Sequence, residues 1–305
     1  MINQKYISKN IIFRLLQLAA ISVFLGRAWQ HLVWDAPFRT LLWDEGWMKG
    51  IVGSVFKTPW EQYITSPETD TTIQSLISGF GWFYLLCALM VVMIKPWRKV
   101  AVWFMYLGSI SLIVLALLYC KERFFSAGQF LEYSLQFSSP LFLYSYVRQR
   151  TVSNQLIFLM KVTVAFTFVC HGLYAIGYYP RPGYFIEMTM LTLGLSETSA
   201  IQMLKLAGIL DFVIGIGIFL PARYAKWIIL YAVFWGLLTT LARVVAYVDF
   251  AYFLESSKQW VHESVYRLPH FIVPLILYLI IWKESNHPDD VRQAITSRGS
   301  TEVLP

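Results

Sequence analysis

The chain has 305 residues, 57% hydrophobic, 17% aromatic and only 14% charged, with a mean hydropathy of +0.54. Soluble domains carry about 25% charged residues, so this composition excludes an ordinary water-soluble fold. The net charge of +7 is spread over the ends of apolar runs and forms no separate patch, which argues against nucleic acid as a partner.

In chain order, eight stretches approach or exceed the ~20 apolar residues needed to cross a bilayer. They are Ile11–Trp34, Thr72–Ile94, Val100–Cys120, Gly128–Val147, Gln155–Tyr178, Ala200–Leu220, Trp227–Val248 and Tyr266–Trp282. All are far longer than the ~10-residue strands of membrane barrels, so the expected class is all-α, a polytopic membrane protein with eight transmembrane helices. Lys5, Lys9 and Arg14 precede the first run as in a secretory signal, but its exit, G-R-A-W-Q-H, holds no small-x-small cleavage site; the run is expected to stay. After it, Asp35–Thr71 mixes Trp43, Trp47, Phe56, Trp60 and Tyr63 with charges, as suits an element at headgroup depth. Tyr179–Ser199 contains the turn-forming run Y-P-R-P-G-Y and then Phe185–Leu195, apolar enough to lie along the interface. Residues 285–305 are charged, with little apolar pattern, and are expected to be a disordered tail.

Eight crossings from a cytoplasmic N-terminus put Lys95, Arg98, Lys99, Arg148, Arg150, Arg223 and Lys226 on the cytoplasmic side. That side receives about twice the lysines and arginines of the other, a positive-inside bias that places both termini in the cytoplasm. Nearly all loop carboxylates, among them Asp35, Asp44, Glu68, Asp249 and Glu263, fall on the opposite side.

Three landmarks recur in the same order. Phe137–Tyr144 and Phe271–Tyr278 share F-x-x-P-L-x-L-Y; I-K-P-W-R-K at 94–99 resembles L-P-A-R-Y-A-K at 220–226; and Phe24–Asp35 and Phe168–Tyr179 each end an apolar run before a proline. The pattern predicts two four-helix repeats, 1–150 and 151–284, followed by the tail. Four spans per unit make the copies parallel, and a site is expected between them.

Ionisable residues inside spans mark functional sites or their structural partners. Asp211 sits in A-G-I-L-D-F-V-I-G-I-G, and Arg243 on the next span is its expected partner, with Tyr174 or His171 as alternatives. Arg27 and His31 are four apart and share a helix face, with His171 and Tyr174 in the corresponding region of the second half. These four read either as a polar vestibule for an anionic or quinone-like head group or as interfacial anchors. A third group joins Glu132 and Gln136 to Arg267 and His270; Gln136 and His270 align, each one position before the shared phenylalanine. Pro140 and Pro274 each free a backbone carbonyl, which can accept a ligand, a water or nothing beyond a local kink. His31 and His171 facing one another across the pseudo-twofold would form a bis-His haem site, the weakest of these readings. Cys87, Cys120 and Cys170 form no C-x-x-C and read as small hydrophobes. There is no H-E-x-x-H, G-x-S-x-G or phosphate loop.

At Leu206–Lys226, the acidic Asp211, the spaced Gly215 and Gly217 and the basic Arg223 and Lys226 resemble the DoxX-like family of four-span membrane proteins. The layout of roughly Gln155–Lys283 fits that family throughout, whereas the first half has Leu85 or a neighbour where Asp211 would stand. The resemblance implies a bacterial inner-membrane protein, in some members associated with quinone or thiol redox partners. W-D-E-G-W after the first span resembles the transmembrane part of vitamin K-dependent carboxylase-like proteins, without an identifiable catalytic lysine. Three readings follow: an accessory protein binding a lipid or quinone-like molecule between its halves, an enzyme or redox subunit working with a partner protein, and a small-solute transporter.

Overall fold

A computed structural model describes residues 4–95 and 98–286. The expected tail beyond residue 286 and the middle of the I-K-P-W-R-K run lie outside the described residues. Among these there is no strand. Helix α1 (Gln4–Val33) leads into three short helices, α2 (Arg39–Leu42), α3 (Glu45–Ile51) and α4 (Trp60–Thr65), with a π-helical turn at Val52–Phe56. Then come α5 (Pro67–Val92), α6 (Arg98–Glu122), α7 (Ala127–Glu132) and α8 (Ser134–Gln149). The second half holds α9 (Asn154–Ile176), α10 (Gly183–Leu193), α11 (Glu197–Gly217), α12 (Ala222–Tyr247), α13 (Phe253–Arg267) and α14 (Pro269–Asn286).

Local chemistry sets many of these boundaries. Ser66, Ser153 and Ser196 cap α5, α9 and α11 by accepting from the N–H three residues on, and Pro67 takes the first turn of α5, where its missing N–H costs nothing. Gly177 (φ +90°) ends α9 and Gly194 (φ +65°) ends α10 in the left-handed conformation that glycine adopts without a Cβ clash.

Among the described residues, seven helical segments are long and apolar enough to cross a membrane, and the protein is accordingly a multi-pass helical membrane protein. They are Asn10–Val33, Pro67–Val92, Arg98–Glu122, Asn154–Ile176, Glu197–Gly217, Ala222–Tyr247 and Phe253–Trp282. The remaining expected run, Gly128–Val147, is not one such helix: it breaks at Tyr133 between α7 and α8, and the 16 residues of α8 reach only about 24 Å. α13 and α14 likewise meet at a break, at Leu268.

α1 is central, with 56% of its apolar window buried against 33% for α5 and for α12. It packs on α5, α8, α13 and α14, and Leu16, Val23 and Phe24 are fully buried in the shared core. The neighbours recur in pairs. α1 packs on α5 and α9 on α11; α6 on α8 and α12 on α14; α7 on α9 and α13 on α1. Close approaches recur as well. A Cβ at Gly81 would meet Leu32 and His31, and one at Gly208 would meet Ile176 and Ala175, besides the Gly172 carbonyl.

Backbone carbonyls of α8 and of the α13–α14 junction meet neighbouring helices. The Ser109 hydroxyl donates to the Phe137 carbonyl, Thr240 Oγ1 donates to the Arg267 carbonyl at 3.2 Å, and Gly236 leaves room for the His270 carbonyl to press against α12. The long connection after α1 is tied down by charge. Arg39 bridges Asp35 and Asp70, each at 2.8 Å, and Lys121 pairs with Asp44, the N-cap of α3.

Candidate functional site

Many of the buried polar residues, among them Arg27, Gln30, His31, Gln136, Thr167, His262 and His270, collect where helices of the first and second halves meet, toward the ends of α1 and α9 that precede the long connections. Arg27, on α1, is 1% exposed. Its Nη1 donates to Gln30 Oε1 and its Nη2 to Gln136 Oε1 on α8, both at 2.6 Å. The guanidinium lies 3.9 Å from the ring centroid of Tyr266 on α13, 5.1 Å from that of Tyr133 and 5.5 Å from that of Tyr119. Gln30 Nε2 in turn donates to the Tyr119 hydroxyl at 2.5 Å and to the Asp35 carbonyl at 3.1 Å. Among the described residues, no carboxylate pairs with Arg27. A shell of aromatic faces and amide oxygens stands in for a counter-ion.

On the other side of the half-to-half contact, His171 Nε2 of α9 lies 3.0 Å from Glu132 Oε1 of α7. The His171 ring stacks on His270 of α14 with centroids 5.5 Å apart, and His270 Nδ1 donates to the Arg267 carbonyl at 2.8 Å. Ser134 Oγ lies 3.0 Å from Thr167 Oγ1 and donates to the Thr163 carbonyl, closing that region with hydrogen bonds. The aligned Gln136 and His270 therefore meet corresponding helices: Gln136 reaches Arg27 on α1 and His270 reaches His171 on α9.

A third group links these two. Glu263 Oε2 on α13 receives Arg243 Nε at 2.8 Å and Arg267 Nη1 at 2.7 Å. Arg243 also lies over the Tyr184 ring of α10 at 4.6 Å, and Arg267 lies 5.1 Å from the Tyr266 ring that Arg27 covers. α10 is thereby fastened over the cluster, and the Tyr247 hydroxyl holds it again by donating to Glu187 Oε2 at 3.0 Å. Burial pushes the Tyr184 hydroxyl above its ordinary range, so it stays a neutral partner for Arg243.

One expectation is overturned. Asp211 does not pair with Arg243: its Oδ1 accepts from Trp235 Nε1 at 2.9 Å, while Arg243 is engaged by Glu263. Arg243 lies eight residues beyond Trp235 on α12, about 12 Å along the axis, too far to reach Asp211. The discounted pairing of His31 with His171 is not formed: His31 packs edge-on against Tyr84 and donates from Nδ1 to the Arg27 carbonyl, at 2.7 Å. Tyr174 stands apart from His171, its hydroxyl 3.3 Å from Ser126 Oγ in the α6–α7 turn. Aligning Gly81 with Gly208 puts Tyr84, a neighbour of Leu85, where Asp211 stands; Tyr84 is fully buried and bonds Ser111 Oγ at 2.8 Å.

Sequence reasoning singled out Arg27, Gln136, His171 and His270 but grouped Arg27 with His171 and Gln136 with His270, whereas the structure joins Arg27 to Gln136 and His171 to His270; it missed Glu263, Tyr266, Tyr133, Tyr119, Gln30 and Trp235. Glu263 carried a legible signal, because it lies four residues before Arg267 and so on one helix face with it. Among the described residues, no group of three His, Cys, Asp or Glu side chains gathers to hold a metal ion. Cys87, Cys120 and Cys170 are free and buried. Neither a protein-family model, nor a curated protein, nor a solved structure matches the chain.

Proposed function

We propose that the chain is a DoxX-like membrane protein, a tandem duplication of a four-helix unit that holds a lipid or quinone-like molecule by its head group between the two halves. The observation that carries this reading is Arg27, a cation buried at the contact of both halves with three tyrosine rings and two amide oxygens around it and no carboxylate. Buried charge of this kind is costly, and in a membrane it marks by default a functional site or its structural partner.

Several features support the duplication. Helix neighbours recur in matching pairs, and the contacts of Gly81 and Gly208 involve residues at matching places on α1 and α9. Pro140 and Pro274 lie inside α8 and α14. On this reading α7 and α8 together are a further crossing, giving eight, with both termini cytoplasmic at a bacterial inner membrane and an accessory role in a redox or envelope process. The polar cluster then lies toward the outer face.

Mass spectrometry of the detergent-purified full chain tests the reading: a lipid or quinone should copurify stoichiometrically. Reporter fusions at Arg150 and near Glu68 test the topology, with cytoplasmic and external readouts expected; a cytoplasmic signal at Glu68 overturns eight crossings. The Glu132–His171 pair favours a second reading, a redox subunit that moves a proton at His171 Nε2 for a partner protein.

A further inference from the structure

Between α1 and the C-terminal part of α5 lies an open groove of about 420 Å³. Ile21 and Leu25 of α1 line one wall, and Trp82, Leu85, Leu89 and Val92 of α5 the other, so the groove runs about 15 Å along α5. Both walls are apolar side chains of spans, at a depth where the surroundings are hydrocarbon.

At its Val92 end the groove meets two cations. Gln17 Nε2 donates to the Val91 carbonyl at 2.9 Å, which fixes the stagger of the two antiparallel helices. From that contact Arg14 lies three residues back along α1, and Lys95 four residues on in the chain that leaves α5, so both stand about one helical turn away in the same direction. Arg14 shares its helix face with Leu18, Ile21 and Leu25, the face that opens on the groove. Packed helix axes lie about 8–10 Å apart, so two long side chains at one level, one from each wall, can converge on a single phosphate. Both are exposed, and among the described residues neither pairs with a carboxylate; Arg14 Nη1 donates to the neutral Gln17 Oε1 at 3.4 Å.

The second half gives the comparison. With Phe24 matched to Phe168 and Gly81 to Gly208, Leu25 matches Val169 and Ala88, in the floor of the groove, matches Gly215. There the level is closed, because Gly215 has no Cβ and the Val169 side chain takes that place against α11. Phe158 stands where Arg14 does, and L-P at 220–221 has leucine where I-K-P has Lys95. Groove and cations thus occur together in the first half and are replaced together in the second, as two parts of one site would be. The basic residues that the second half keeps, Arg223 and Lys226, lie over the rings of their own neighbours Tyr224 and Trp227.

We propose that an anionic phospholipid occupies this site, with one acyl chain in the α1–α5 groove and its phosphate between Arg14 and Lys95. The apolar walls take the chain, and two cations without a carboxylate take the phosphate oxygens in charge-assisted hydrogen bonds. A zwitterionic lipid would bring a third positive charge beside them. The site lies about 20 Å along α1 from Arg27 and is independent of whatever the polar cluster holds. On the topology proposed above it belongs to the cytoplasmic leaflet, the side on which basic pockets between spans recognise acidic lipids.

The full chain is reconstituted in phosphatidylcholine vesicles containing a trace of phosphatidylglycerol, or of phosphatidylcholine, with a photoactivatable diazirine in the acyl chain. Crosslinked peptides are quantified by mass spectrometry. The internal reference is α11, whose Leu206, Ile209, Val213 and Ile216 are exposed on the matching helix. The phosphatidylglycerol probe should label residues 82–92 about tenfold more than residues 206–216, and the phosphatidylcholine probe should label both alike. Arg14→Gln with Lys95→Gln, at two exposed positions, should abolish the preference, whereas Arg223→Gln with Lys226→Gln should leave it. Equal labelling of the two segments by the phosphatidylglycerol probe overturns the inference. So does a preference that survives the Arg14 and Lys95 changes, is shared by the phosphatidylcholine probe, or is lost equally on changing Arg223 and Lys226. Labelling of residues 82–92 below that of residues 206–216 by both probes also overturns it, and assigns the groove to a protein partner instead.

Discussion

The guanidinium of Arg27 lies 3.9 Å from the ring centroid of Tyr266, and Arg267 lies 5.1 Å from the same ring. One aromatic face system thus serves two cations that belong to different halves, and Glu263 neutralises only the second. Replacing Tyr266 with leucine should therefore lower thermal stability, by about 1–2 kcal/mol for the desolvated cation–π contact. Phenylalanine should restore most of it, because the ring rather than the hydroxyl faces Arg27. Equal losses for both replacements in a melting assay would assign the effect to the hydroxyl instead.

Glu263→Gln leaves Arg243 and Arg267 without their shared carboxylate, and should cost roughly 3–5 kcal/mol. Adding Arg243→Gln to it should recover part of that loss, since one stranded charge is removed. The double-mutant cycle reads the coupling directly; additive shifts would refute the pairing.

Asp211 depends on the Trp235 indole. Trp235→Phe should destabilise the protein by about 1–3 kcal/mol through the unmet acceptor, in addition to any packing change. Changes at Asp211 and Arg243 should in contrast be additive, because the two side chains have different partners. A coupling above about 0.5 kcal/mol between them would show that they share a network.

Alanine at the helix crossings should discriminate by what the new methyl meets. At Gly236 it would strike the His270 backbone, and at Gly81 mainly the flexible end of Leu32. Gly236→Ala should cost at least the ~1–3 kcal/mol typical of overpacking, and Gly81→Ala clearly less. Comparing melting temperatures of the two variants checks the order.

Acid should release the docked loop. Hydrogen bonding to Lys121 holds the Asp44 carboxyl below its ordinary value of 3.8, and a carboxyl whose folded value is depressed contributes stability above its unfolded value. That contribution is lost as pH falls below 3.8 through the folded value. Limited proteolysis within residues 45–56 should accelerate over that window. Asp44→Asn should show the same faster cleavage at neutral pH and no further acid step from this pair.

Much of this architecture is legible in the sequence because hydrocarbon imposes length: apolar runs of about 20 residues announce helices whatever surrounds them. The shared F-x-x-P-L-x-L-Y likewise puts Gln136 and His270 on α8 and α14. The partners of Asp211 were less legible, because helix rotation and axial rise decide contacts and neither is written in hydropathy. Trp235 resembles any other span aromatic until the helices are packed. Glu263 reads as a loop carboxylate because α13 is polar enough to pass for a connection, and the broken run at Tyr133 reads as one span because its residues are apolar on both sides of the break.

The contact between Arg27 and Gln136 bridges 109 residues of chain, and the partners of Arg27 on α13 come later still. Synthesis at roughly 5–20 residues per second leaves the first helix in the bilayer for several seconds before even the glutamine exists. During that interval the arginine has no aromatic cage, and its place near the end of α1 lets the long side chain stretch toward the headgroups to stay hydrated. Biogenesis of this protein therefore includes a late step in which a hydrated cation is drawn inward as the C-terminal helices arrive, and a chain truncated before α13 should present Arg27 to water-borne reagents that the full-length protein keeps out.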